Sequence, residues 1–180
     1  MLKHIALAWI MVLPTQLWAE TNETVLQSII DDYEAECVEA QKEFRDIDYD
    51  EDDPVIADLS LPSESIYEIK INGDGKIATV LYANFRCTGI GTAWCGSGGC
   101  TSYVIVDGVK FQTRGFRPVS VIVGHKRVAV IVPRAGGACR TVQGKYPSND
   151  RVCYSVAAWD DISMTFNSFS SGESVFKLGE

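Results

Sequence analysis

The chain has 180 residues, 46% of them hydrophobic and 22% charged, and a formal net charge of −8. This composition is that of one ordinary globular domain and excludes a disordered chain, a collagen and a coiled-coil rod. The acidic balance argues against nucleic acid as a partner. No apolar run after the N-terminus reaches the ~18 residues that a membrane-spanning helix needs.

Residues 1–19 have the features of a secretory signal peptide. Lys3 and His4 form a basic start, residues 5–13 form an apolar run, and Ala19 is the small residue that signal peptidase requires. An N-terminal anchor helix is disfavoured because this run is too short for a hydrocarbon core of ~30 Å. We therefore expect a periplasmic or secreted protein in which residues 20–180 form a single domain.

Residues 22–47 predict one long amphipathic helix near the start of the mature chain. Asn22 is the expected N-cap, and Glu23 favours the positive end of the helix dipole. Apolar side chains recur every three or four residues and form one narrow seam. The seam consists of Leu26, Ile30, Tyr33, Cys37, Ala40, Phe44 and Ile47. A sheet is the expected cover for it, because cysteine and tyrosine suit a coiled-coil seam poorly.

Charge is divided unevenly between two parts of the mature chain. Residues 20–58, the helix and an acidic loop, carry 15 acidic and two basic residues, a net charge of −13, whereas residues 59–180 carry a net charge of +4. The loop alternates acids as a calcium-binding loop does, but it has Glu51 and Ala57 where that motif needs a glycine and a bidentate acid. We interpret it as a solvated loop.

Residues 59–180 predict a β-rich body. Short strands are expected at 65–71, 77–87, 101–106, 109–113, 117–123, 126–132, 151–159 and 162–167. Turn signals such as Asp107-Gly108 join them, and strands joined by tight turns are antiparallel. The predicted fold class is α+β, with the long N-terminal amphipathic helix packed on a twisted antiparallel sheet or meander.

The six cysteines all follow the leader, and an even count in an exported chain predicts three disulfides. They are Cys37, Cys87, Cys95, Cys100, Cys139 and Cys153. Cys37 on the helix seam and Cys87 on the apolar face of strand 77–87 point into one interface, so we pair them. Cys95 and Cys100 flank a short glycine-rich loop and pair with each other, which leaves Cys139 with Cys153. This spacing disfavours structural zinc.

No catalytic constellation, cofactor or metal site is predicted. His125 is the single histidine of the mature chain, and nothing in the sequence places a serine and an acid beside it. The even number of cysteines leaves no free thiol as a nucleophile.

The most unusual stretch is the glycine-rich segment 89–100. A rigid stapled loop is the plain interpretation, and a recognition loop with an exposed aromatic anchor is the functional one. The candidate loop residues are Trp94, Gly96, Ser97, Gly98 and Gly99. A basic sheet face is predicted from Arg114, Arg117, Lys126 and Arg127. The predicted partner is a protein or an anionic ligand of the cell envelope.

The order of these features resembles a group of small, exported, cysteine-containing bacterial proteins without an assigned activity. The resemblance rests on the leader, the acidic helix with one cysteine, the Asn-Gly-Asp-Gly turn at 72–75 and the segments at 85–87 and 94–101. It implies a periplasmic protein and supplies no catalytic residues.

The plan is also similar to that of Ivy-type lysozyme inhibitors, which implies a helix on an antiparallel sheet and a protruding loop closed by Cys-x4-Cys. Cys95 and Cys100 have this spacing, although the loop lacks the histidine that those inhibitors place there. We therefore expect a non-enzymatic binding protein. An inhibitor of a cell-wall hydrolase and an uncharacterised hydrolase are the alternatives.

Overall fold

The computed structural model describes residues 20–44, 58–88, 91, 94–123, 128–135 and 152–170. These residues form one α-helix and ten strands. The elements are α1 Asn22–Phe44, β1 Leu59–Ser60, β2 Ile66–Lys70, β3 Ile77–Tyr82, β4 Arg86–Cys87, β5 Cys100–Val106, β6 Val109–Gly115, β7 Val119–Ile122, β8 Val128–Ala135, β9 Val152–Asp160 and β10 Thr165–Ser170. The predicted signal peptide and His125 lie outside the described residues.

The strands form two four-stranded sheets and one small pair. Sheet I has the order β2-β3-β5-β6, sheet II has the order β10-β9-β8-β7, and β1 pairs with β4. Every described pairing is antiparallel. The α+β class with antiparallel strands is therefore confirmed, whereas the prediction of a single sheet is wrong.

Strand β5 explains why a second sheet is needed. Tyr103 and Ile105 pack in the cluster that contains the helix, while Val104 and Val106 pack in the cluster that contains sheet II. Because neighbouring residues of a strand point to opposite faces, both faces of sheet I are apolar and both need a cover. Sheet I is therefore the middle of three layers, between α1 and sheet II.

The helix differs from the prediction at its start and along its buried face. Thr21 is the N-cap, since its Oγ1 accepts the Thr24 N–H at 3.2 Å. The predicted cap, Asn22, instead accepts the Gly108 N–H with its Oδ1 at 3.0 Å. Asn22 thus ties the helix start to the turn between β5 and β6.

The buried side chains of the helix recur at a spacing of four, and they are Val25, Ile29, Tyr33 and Cys37. The predicted seam residues Leu26 and Ile30 are only partly buried beside them. The helix therefore has one narrow buried line, but its first half runs through Val25 and Ile29 rather than through the predicted Leu26 and Ile30. It ends at Phe44, and the predicted seam residue Ile47 lies outside the described residues.

Two of the three predicted disulfides are confirmed. The Cys37–Cys87 bond has a Cα–Cα distance of 5.7 Å, and the Cys95–Cys100 bond has one of 4.3 Å. The described residues contain two disulfides rather than three, because Cys139, the predicted partner of Cys153, is not among them. No described cysteine is free. Within the part of the chain that the structure describes, no helix combines the length and apolar character needed to cross a membrane.

Candidate functional site

The loop between Cys95 and Cys100 is a small closed hairpin, which we call the disulfide-closed loop. Gly96 and Gly99 exchange two backbone hydrogen bonds of 3.1 and 2.9 Å, inside the ring that the disulfide closes. Gly99 has a φ of 96°, and a Cβ there would lie 2.0 Å from the Gly115 carbonyl oxygen, so this position requires glycine. Gly96 and Ser97 are exposed, while Gly98 is half-buried.

Trp94 is not the exposed anchor that the sequence predicted. It is partly buried against the helix-side core. Its indole meets Tyr33 edge-on with ring centroids 5.3 Å apart, and its Nε1–H donates to Glu36 Oε2 at 2.6 Å. Trp94 therefore links the start of the disulfide-closed loop to the helix.

The predicted basic face is only partly assembled. Arg114 lies beside the loop, because a Cβ built on Gly96 would be 3.4 Å from its guanidinium. Arg117 lies elsewhere: it donates to the Glu64 carbonyl oxygen, and its guanidinium sits 4.7 Å from the centroid of the Tyr67 ring. Lys126 and Arg127 are outside the described residues. Of the predicted face, Arg114 alone is shown next to the loop.

A cleft of about 310 Å³ lies between the helix and strands β5 and β6, with Trp94 on one side. It is lined by Ile29, Asp32, Tyr33, Glu36, Trp94, Tyr103, Lys110 and Gln112. Of this set, only Trp94 is predicted as a binding residue from the sequence. Two spacings in the sequence carried the missing signal. Asp32 and Glu36 are four apart on one helix face, and Lys110, Gln112 and Arg114 alternate along one exposed strand face.

Two tyrosine hydroxyls meet beside the cleft. The Tyr33 and Tyr103 hydroxyl oxygens are 3.3 Å apart and are buried. Burial raises the pKa of the Tyr103 phenol, and its hydrogen bond with Tyr33 raises it further. Both phenols together carry two protons, of which their mutual bond uses one. The pair therefore retains one O–H that can donate a hydrogen bond to a ligand in the cleft.

Opposite charges face the cleft without joining each other. Asp32 and Glu36 come from the helix, and Lys110 comes from β6. The ion pairs among the described residues are Lys42–Glu39, Lys76–Asp107 and Lys76–Asp161, so none of the three cleft charges is used in one. The cleft thus presents carboxylates on one wall and an ammonium group on the other.

A second charged cluster lies where the turns after β2, β5 and β9 meet. Unlike the charges of the cleft, its charges form ion pairs with each other. The Lys76 ammonium is 2.5 Å from Asp107 Oδ2 and 5.2 Å from the centroid of the Trp159 ring. Asn72 donates to Asp161 Oδ2 at 3.0 Å, and this bond lowers the pKa of the Asp161 carboxyl. The lysine occupies the space between the acids, so this cluster ties the turn at 72–75 to the turn after β9. The described residues hold no group of three or more His, Cys, Asp or Glu placed for a metal ion.

Comparisons of this chain with protein-family models, with curated proteins and with solved structures find no match.

Proposed function

We propose that the protein is a non-enzymatic exported binding protein whose site is the cleft together with the disulfide-closed loop. The ligand class is a small zwitterion, such as an amino acid or a dipeptide with free ends. The observation that carries this proposal is the pair of opposed walls. Asp32 and Glu36 face Lys110 across a cleft in which they form no ion pair. A ligand with an ammonium and a carboxylate group satisfies both walls at once.

The size and construction of the cleft favour a small ligand. Its volume of about 310 Å³ is at the lower end of ligand sites, which span roughly 300–1,000 Å³. Its walls rest on buried side chains of the helix-side core, and Trp94 is held by Glu36 and Tyr33. A ligand that enters a preformed cleft loses less free energy to ordering of the protein.

The distribution of charge in the cleft restricts the class of ligand more than the sequence does. A purely anionic ligand at Arg114 and Lys110 would also meet the carboxylates of Asp32 and Glu36, and like charges at short range repel. A zwitterion avoids this repulsion because its cationic end lies on the acidic wall. Export is supported by the leader features and by the disulfides, which persist in oxidising compartments.

The test is an NMR titration of the isotope-labelled, oxidised protein with alanyl-alanine. We expect shifts of the cleft amides with the free dipeptide and no shifts with its doubly capped form, which lacks both charges. Lys110→Gln and Asp32→Asn should each raise the Kd by about tenfold, the effect of one lost charge contact of about 1.4 kcal/mol. The matched controls are Lys70→Gln and Glu34→Gln, which change exposed charges outside the cleft.

Two outcomes would count against the proposal. Equal binding of the free and capped dipeptides would show that the opposed charges do not select the ligand. The absence of shifts at the cleft with alanyl-alanine, glycine, alanine and glutamate would remove the proposed ligand class altogether.

A second candidate function is inhibition of a cell-wall hydrolase. It is favoured by the exposed tip at Gly96 and Ser97, which the disulfide holds in one conformation. A covalently closed hairpin with an exposed tip is suited to contact with an enzyme cleft, because little conformational entropy is lost on binding. Excess oxidised protein should then slow lysis of bacterial cell walls by lysozyme, and Ser97→Trp should reduce the inhibition. Full lysozyme activity at excess protein would exclude this function for that enzyme.

A further inference from the structure

Strand β7 is the most exposed apolar segment among the described residues. Nine large hydrophobic side chains are exposed in the described part of the chain, and five of them fall within residues 116–123. These five are Phe116, Val119, Val121, Ile122 and Val123, with exposed fractions between 40% and 78%. Each residue of β7 is exposed, so both faces of the strand leave side-chain surface open to solvent, most of it at Ile122. A contiguous apolar patch of this kind marks an interaction surface.

The strand is also an edge. Sheet II ends at β7, which pairs only with β8 among the described strands. No described turn or loop hydrogen bond involves its backbone. One row of N–H and C=O groups is therefore available to another strand.

Two of the other three edges carry the charges that ordinarily prevent strand addition, and the third is uncharged but mostly polar. Glu68 and Lys70 lie on β2, Lys110 and Arg114 lie on β6, and β10 is mostly polar. Strand β7 has Val119, Ser120, Val121 and Ile122, with no charge among them. Since charges on edge strands block pairing between molecules, β7 is the one edge of the two four-stranded sheets, as far as the structure describes them, that combines an apolar surface with no charge.

We propose that β7 pairs in antiparallel fashion with β7 of a second copy of this chain, so that the two copies of sheet II become one continuous sheet. Antiparallel pairing of a strand with itself is two-fold symmetric, so each copy offers the same surface. The distribution of charge favours this occupant. The uncharged strands bring no like charges opposite each other within β7, and the acidic helix lies on the far side of sheet I from sheet II.

Sedimentation velocity of the full-length oxidised protein over a range of concentrations tests the proposal. We expect a reversible monomer–dimer equilibrium, because an interface built on a four-residue strand is at the small end of specific interfaces. Val121→Lys should raise the dimer Kd by about tenfold or more, since each copy then brings an ammonium group into the apolar contact. Ile77→Lys is the matched control, because Ile77 and Val121 are both 40% exposed and Ile77 lies on another strand.

Hydrogen exchange supplies a second readout that does not depend on a substitution. The β7 amides should become protected as the protein concentration rises, while those of the edge strand β2 should not change. A monomer at every concentration overturns the proposal, and so does equal weakening by Val121→Lys and Ile77→Lys. A wild-type monomer whose β7 amides are protected only by an added extended peptide would assign the edge to another protein instead.

Discussion

Sheet I is covered by the helix on one face and by sheet II on the other, and the two interfaces are built from different side chains. On the helix side, Tyr33, Phe85 and Tyr103 are buried together with smaller apolar residues, and Trp94 packs against them. On the sheet II side the buried cluster is rich in valine, and its ring contacts are those of Phe166 with Phe111 and Trp159. Both described disulfides involve residues of the helix side or the loop beside it.

The difference reflects how each covering element, the helix or sheet II, is held on sheet I. Sheet II is held together by long antiparallel strands with complete pairing, such as the seven-residue register between β8 and β9. The helix buries one line of four side chains and needs aromatic rings and a covalent bond to hold it. The side that is covered less completely is also the side that contains the cleft, because a narrow helix leaves the polar face of β6 open.

Phe85→Ala is expected to have the largest effect on stability of any single substitution on the helix side of sheet I. Phe85 is 1% exposed, and its ring lies 4.5 Å from that of Tyr33. Removal of a buried phenylalanine leaves a cavity and costs about 3–5 kcal/mol. Urea unfolding measures the loss, and Val104→Ala, on the opposite face of sheet I, is the comparison. A smaller loss for Phe85→Ala than for Val104→Ala would contradict the assignment of the aromatic cluster as the anchor of the helix.

Loss of the Cys37–Cys87 disulfide should weaken the interface between the helix and sheet I while the interface between sheet I and sheet II stays closed. The double substitution Cys37→Ala, Cys87→Ala is expected to cost about 2–4 kcal/mol, and the Cys95/Cys100 double substitution less, because the stabilisation grows with the length of the closed loop. The sequence separations are 50 and 5 residues. Hydrogen exchange should show early opening of the α1 amides while β8 and β9 remain protected. Equal loss of protection in the helix and in sheet II would show that the two interfaces are one cooperative unit.

Sequence reasoning succeeds where a short pattern determines the contact. The Cys37–Cys87 pair is predictable because both cysteines lie on a buried side of their elements, although the predicted strand 77–87 that carried Cys87 is divided into β3 and β4. The Asp107-Gly108 turn follows from its dipeptide, and both residues have the positive φ that a two-residue hairpin requires. These features depend on a few neighbouring residues or on one periodicity, which a single sequence displays directly.

Features that depend on packing between distant elements escape the sequence. Trp94 lies in a glycine-rich stretch that suggests exposure, yet Glu36, 58 residues earlier, accepts its N–H. The cleft arises only where the helix crosses β6, so its lining residues share no local pattern. The second sheet has a visible signal, since residues 103–106 are apolar on both faces, but the short turns that follow them favour one continuous meander and hide the division into two layers.

The pH dependence of tyrosine ionisation tests whether the interface between the helix and sheet I contains buried polar groups. Burial raises the pKa of Tyr103 above the unfolded value of about 10. The neutral phenol is then favoured in the folded protein, so this stabilisation is fully present below the unfolded pKa and is lost as the pH rises through the folded pKa. Burial also raises the pKa of Tyr67, so absorbance titration should show more than one late-ionising tyrosine, one of which is missing in Tyr103→Phe. Identical late ionisation in Tyr103→Phe would assign it to another tyrosine.

The N-cap provides the smallest expected effect and tests whether the helix start is held locally or by the sheet. Thr21 Oγ1 caps the Thr24 amide, and Asn22 Oδ1 binds the Gly108 amide across to sheet I. Thr21→Ala should cost about 1 kcal/mol, the usual cost of a lost cap, and should increase exchange only in the first turn. Asn22→Ala, which removes the tie to the β5–β6 turn, should expose the Gly108 amide to exchange while the Thr24 amide stays protected. If both substitutions instead raise exchange along the whole helix, the start of α1 is part of the docking interface rather than a separate local cap.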